Sequence, residues 1–409
     1  MAATAWDTYA EQLMDQGHGY PLWDPEPTGN GEVEIGDVGF IRRGRFHRLF
    51  SARYTADHPL NETWGVPDDF VPLHIANGFI VEKQSAIASD SLHSGSFHKL
   101  AVGGEVHAGS ATDISLLYQC VDDKGAVLVL PTKHANSQEL LETGGVYKYI
   151  QRNHTSWYHF ATEKADILVK KEDIIFVTGW TKTSRWAVGA FASGGKAVEL
   201  SLTVGYEAHA HATFNLSSST GSSKSWYQHS GPIPEAVDND RPLSGQRTSE
   251  RGRGRGRRNR GRSIPPSRKL DQCIFLRFCQ CKERLRGILP SLLPKVINAA
   301  AGPKDDERDG EGDSESMSPQ TTVESESYIE SYPRTPQWYN PVDCVLDHIL
   351  QNSDASVAIA STTDAAALAR SMSTPVQDLP SALRSQGLDM IVSDGGRRCS
   401  GGGSCEVIF

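Results

Sequence analysis

The stretch VELSLTVGYEAHAHATF, Val198 to Phe214, decides the fold class. Within it Val198, Leu200, Leu202, Val204 and Tyr206 alternate with Glu199, Ser201, Thr203 and Gly205, the period-two pattern of a strand with one dry face and one wet face. Working outward, shorter apolar runs at Ile114 to Val121, Ala126 to Leu130, Ile167 to Lys170, Ile174 to Thr178 and Trp186 to Phe191 are spaced by Gly, Asn and Asp. This pattern predicts a mainly β chain: a β-sandwich or barrel-like domain with a short helical insertion, plus disordered segments and a small C-terminal α/β module. The helical insertion is expected at Ser137 to Lys164, capped by Ser137 and read as two short helices broken near Asn153 to Thr155.

Composition divides the chain of 409 residues further. An N-terminal arm (1–31) precedes a β-rich domain (32–216 with 270–287). That domain is interrupted at 217–269 by an Arg/Gly/Ser-rich insertion, too poor in apolar residues to offset the entropy of ordering. The run CIFLRFCQC, Cys273 to Cys281, reads as a returning strand and makes the basic stretch an insertion in the domain. An amphipathic stretch and acidic linker follow (288–336), with ten acids against two bases from Lys304 to Glu330. In the α/β module (337–372), Val342, Val345, Leu346, Ile349 and Leu350 form a helical stripe, Val357 and Ile359 suggest a strand, and Asp364 is placed to cap a helix. A disordered Gly/Ser tail (373–409) closes the chain.

Charge is segregated. Residues 241–300 hold sixteen Arg or Lys against three acids, so the rest of the chain carries −22 within an overall −9. The focus is Arg251, Arg253, Arg255, Arg257, Arg258, Arg260 and Arg262, seven arginines in twelve residues interleaved with glycine. Guanidinium groups on a pliant backbone pair bidentately with phosphates and release counterions, which points to nonspecific RNA or DNA contact or to a nuclear import signal. With no aromatic residue interleaved, base stacking is not offered.

GYPLWDPEP (Gly19 to Pro27), EIGDVGFIRRGRFHRLF (Glu34 to Phe50), SWYHFA (Ser156 to Ala161), DIIFVTGWTKTSRWA (Asp173 to Ala187), QCIFLRF (Gln272 to Phe278) and PVDCVLDHILQNSDASVAIAS (Pro341 to Ser361) together resemble segments of an uncharacterised family of hypothetical proteins from mushroom-forming (basidiomycete) fungi. The resemblance covers most of the segments expected to be ordered. It implies a fungal, intracellular protein with the basic stretch inserted in its domain, and it implies no activity. The family pattern has a glycine where Phe278 stands here, after Arg277.

Glu207, His209 and His211 lie at i, i+2 and i+4, so on one straight strand all three project from one face, as in the two-histidine part of a cupin metal site. That face is the polar one of Glu199, Ser201 and Thr203, which predicts solvation; a metal-dependent cupin-like enzyme is the alternative. Cys344 with His348, and Cys279 with Cys281, have chelating spacing but lack a closing pair. Gly179 to Ser184 approaches a phosphate loop without its second glycine, and Trp180 and Trp186 around Lys182 and Arg185 are expected to pack at a hairpin. Leu285, Ile288, Leu289, Leu292, Leu293, Val296 and Ile297 form an apolar stripe broken by Pro290 and Pro294, expected to pack on the domain, with a peripheral membrane or pore-forming role as a further alternative. No run of about 18 apolar residues and no signal peptide is recognisable, so the expected place is cytoplasm or nucleus, with cysteines as thiols. No cofactor is expected. The reading is a non-enzymatic intracellular binding or interaction protein, its protein partner unknown, whose basic loop contacts nucleic acid without sequence preference.

Overall fold

The apolar run after the basic stretch becomes the spine of the protein. In a computed structural model, the residues described are 4–103, 114–120, 122–132, 134–141, 144–192, 200–206, 212–218, 225–232, 269–284, 338–385, 389–391, 398–400 and 404–406. Strand β15 (Gln272–Glu283) lies antiparallel to β10 (Ile175–Thr183) along the whole of β10. Both strands are largely buried on both faces, so neither reads as a simple alternation of apolar and polar residues. The other side of β15 is shared by β1 (Tyr20–Pro21) and β16 (Val357–Ser361). The other side of β10 is shared by β2 (Asp37–Arg42), which hairpins with β3 (Arg45–Ser51), and by β9 (Ala135–Leu140), which pairs β4 (Ile80–Ile87). The register shift at Val177/Gly179 lies between the β2-paired and β9-paired parts of β10, where the sheet divides; a second, at Thr181/Lys182, lies opposite β9.

Three further sheets complete the mainly β, sandwich-like architecture. The second runs β14 (Ser225–Gly231), β11 (Trp186–Ala192), β8 (Lys124–Val129), β5 (Ser91–His93). The third runs β13 (Ala212–Ser218), β12 (Leu200–Tyr206), β7 (Ile114–Cys120), β6 (Phe97–Gly103). The last is a small sheet of β17 (Asp389–Ile391), β19 (Ser404–Glu406) and β18 (Arg398–Ser400). Five helices are described: α1 (Ala5–Leu13), α2 (Gly144–His159), α3 (Pro341–Gln351), α4 (Thr362–Ser371) and α5 (Leu379–Ser385). None is long and apolar enough to cross a membrane.

The spine contributes to two cores. Leu276, Phe278, Cys279 and Cys281 belong to one with Trp157 of α2 and the apolar stripes of α3, α4 and α5. Ile274 and Phe275 belong to the other, with Trp186, Val188 and Ala190 of β11 and Tyr9 and Leu13 of α1.

Several expectations are corrected. The stretch Val198 to Phe214 is not one strand: β12 and β13 pair antiparallel from Leu200↔Ser218 to Tyr206↔Ala212. An alternating pattern fits two short strands as well as one long one. Ser137 caps no helix, because residues 135–140 pair with β10; α2 runs unbroken through Asn153, whose side chain donates to the Tyr149 carbonyl, and ends in a π turn at residues 160–164. Ile167 to Lys170 forms no strand. The first 31 residues are no arm, since α1 and β1 enter the two cores. Residues 337–372 are no separate module: β16 extends the main sheet, and Trp338–Phe409 falls in one compact unit with Met1–Arg284. Ser361 caps α4, with Asp364 completing the capping box. The tail begins structured, with Val376, Leu379 and Leu383 buried. Within 217–269, Ser225–Gly231 pairs with β11; its Trp226 and Tyr227 suit a strand. The stripe from Leu285 and the acidic linker lie outside the described residues.

Candidate functional site

Strands β14 and β15 precede and follow the basic stretch, and a single tryptophan joins them. Trp186, fully buried, is the register partner of Gly231, the last residue of β14. Its indole Nε1 donates to Oε1 of Gln272, the first residue of β15, at 3.1 Å. An added Cβ at Gly231 would stand 2.7 Å from the Trp186 ring and 2.6 Å from Glu26 Oε1, so only glycine allows this approach. His229 sets its ring edge-on to Trp186 at 4.9 Å. On the returning side Lys269 pairs with Glu32 at 2.6 Å, and the Cys273 N–H donates to the Pro25 carbonyl. Residues 233–268 therefore leave from and return to one fixed neck.

Beside the neck lies a buried charge cluster that the sequence did not announce. Lys182, 1% exposed, reaches Glu32 at 2.9 Å and Glu34 at 3.3 Å, with its ammonium 4.1 Å from the Trp180 ring centre. Asp37 and Arg48, both buried, pair at 2.7 Å; Asp37 also accepts the Glu34 N–H, and Arg48 donates to the carbonyls of Asn30 and Glu32. Burial keeps the Asp37 carboxyl above its ordinary value despite Arg48. Burial would also raise Glu32, but hydrogen bonds from Lys269 and Lys182 hold it below. Gly179 to Thr183 is thus strand, and its lysine is committed to carboxylates rather than offered to a phosphate.

A third feature is a cleft of about 120 Å³ between residues 14–19, β15 and α4. Asp15, Arg277, Thr363, Arg370 and Thr374 give it polar walls, and Met14, Ala366, Ala369 and Val376 an apolar floor. Arg277 is tied to Glu139 at 2.6 Å and to the Gly17 carbonyl. Asp15 accepts the Val376 N–H at 2.7 Å. Three segments far apart in the chain meet here, which hid the cleft from a linear reading.

Glu207, His209 and His211 fall between β12 and β13 and, like Arg251, Arg253, Arg255, Arg257, Arg258, Arg260 and Arg262, lie outside the described residues. The premise that placed the three metal candidates on a straight strand is gone, since residues 206 and 212 are cross-strand partners. Cys344 donates its thiol to the Pro341 carbonyl, and His348 Nδ1 meets the Asn352 amide. Cys281 is buried, and burial pushes its thiol up to about 12. Among the described residues no group of three or more His, Cys, Asp or Glu is placed to hold a metal ion. Comparison of the chain with protein-family models, curated proteins and solved structures finds no match.

Proposed function

We propose that the protein is a non-enzymatic binding protein of the cytoplasm or nucleus that displays a basic loop to nucleic acid. The kinship with the fungal family stands as part of the same proposal. The observation that carries the reading is the neck: Trp186 touches both the last residue of β14, an edge strand, and the first of β15, a buried one, so the segment bearing seven arginines begins and ends beside one buried side chain. Anchorage of this kind keeps the arginines on the body of the protein rather than on a terminus, and their contacts would be to phosphates, independent of sequence.

The test is retention on duplex DNA and on single-stranded RNA over a salt series, comparing the full chain with a variant whose residues 251–262 are replaced by Gly and Ser. Seven phosphate contacts give a slope of log affinity against log salt of about −6 on a duplex. The replaced variant is expected to lose most of that slope, equally for unrelated sequences. An unchanged slope, or affinity that differs strongly between sequences, would overturn the reading.

A further inference from the structure

The cleft beside α4 has a charge arrangement that its own residues leave unfinished. Of the two guanidinium groups on its wall, Arg277 is already balanced by Glu139. Arg370, in the last turn of α4, uses Nε to hold the Ala366 carbonyl at 3.2 Å and makes no ion pair among the described residues. Opposite in sign, Asp15 sits in the short turn Met14–Gln16, fixed by the Val376 N–H on Oδ1, and likewise has no cationic partner among the described residues. Asp15 is an exposed residue, and partial desolvation, with the neighbouring Asp378 carboxylate, raises its carboxyl above the ordinary value. One unpaired charge of each sign therefore lines one small cavity, and the two are not paired with each other.

We propose that this cleft binds a small zwitterion, a free α-amino acid of the size of glycine or alanine. A simple anion would meet Asp15, and a simple cation would meet Arg370; a ligand bearing both charges satisfies both. Its carboxylate lies toward Arg370, with Arg277 behind, and its ammonium toward Asp15 and the threonine hydroxyls. The volume limits it: a cavity near 150 Å³ takes benzene, so about 120 Å³ takes about five or six heavy atoms. That volume accommodates an amino acid whose side chain is a hydrogen or a methyl group, and a branched side chain exceeds it. The site is independent of the basic loop.

The experiment is calorimetric titration of the full-length protein with glycine, L-alanine, L-leucine, acetate and methylammonium. Glycine and L-alanine are expected to bind one per chain, with acetate and methylammonium at least about tenfold weaker and leucine silent. Asp15→Asn and Arg370→Gln should each weaken L-alanine by about tenfold, the loss of one ionic contact. Ala366→Leu fills the cleft without touching either charge and should abolish binding; circular dichroism melts confirm that each variant is folded. Acetate binding as tightly as alanine with Asp15→Asn silent would make this an anion site and overturn the proposal. So would amino-acid binding that survives both charge substitutions, or no heat at about 10 mM glycine or alanine.

Discussion

Replacing Arg48 by methionine leaves the fully buried Asp37 carboxylate without its partner. Arg48 and Asp37 side chains are 3% and 0% exposed and pair at 2.7 Å, so water screens the pair very little. Removing one partner of a buried ion pair costs about 3–5 kcal/mol, because the other charge stays desolvated. Arg48→Met also strips the carbonyls of Asn30 and Glu32 of a donor, which places the loss toward the upper part of that range. Adding Asp37→Asn should recover about 2 kcal/mol, since the orphaned charge disappears while an acceptor for the Glu34 N–H remains. The pH dependence carries the sign of the mechanism. Asp37 has a folded-state value above its unfolded one, so the cost of burying it ionised is felt above that value and relieved as pH falls toward the unfolded value near 3.9. Without Arg48 that value rises further, and the deficit of Arg48→Met against wild type should shrink between about pH 7 and pH 5. Urea unfolding followed by tryptophan fluorescence measures all four corners of the cycle at both pH values. A deficit that is equal or larger at the lower pH, or a double variant as unstable as the sum of the singles, refutes the reasoning.

Gly231→Val should drive a side chain into the Trp186 ring and Glu26, shifting tryptophan emission and lowering the melting temperature, with second-site Trp186→Phe partly restoring it. His154 is buried, and burial, reinforced by the Lys171 ammonium, lowers it to about 4. A group depressed in this way stabilises above its unfolded value near 6.5 and loses that contribution as pH falls toward the folded one, so His154→Phe should flatten the stability profile between about pH 6.5 and 4 and leave stability near neutral pH equal or higher. Thermal melts across that window check it.

What the sequence made legible follows from how many faces each segment buries. Predominantly apolar runs such as Cys273 to Cys281 and Ile174 to Thr178 read as strands and are the central ones. The stripe on α3 was equally plain. Val198 to Phe214 misled because alternation records which face is wet and says nothing of where a chain reverses. Ser137 misled because a capping residue is also at home in a strand when a neighbour such as Thr181 supplies the pairing. The sequence places Lys182 at a hairpin between two tryptophans, and its partners Glu32 and Glu34 come from another part of the chain, which no local pattern shows. Asp15, Arg277 and Arg370 carry no common motif, since the cleft exists only once three remote segments have met.

Strand β15 comes late in the chain yet contributes to both cores, so the order of synthesis and the order of assembly conflict. A nascent chain that has reached Gly231 holds β10, β11 and α1 but not the strand that joins them, and neither hydrophobic interior can close until residue 283 has emerged. The same arrangement works in reverse after folding. A single cut between residues 233 and 268 severs the covalent chain but none of the hydrogen-bonded ladders that hold β15 against β10, leaving two polypeptides that behave as one protein.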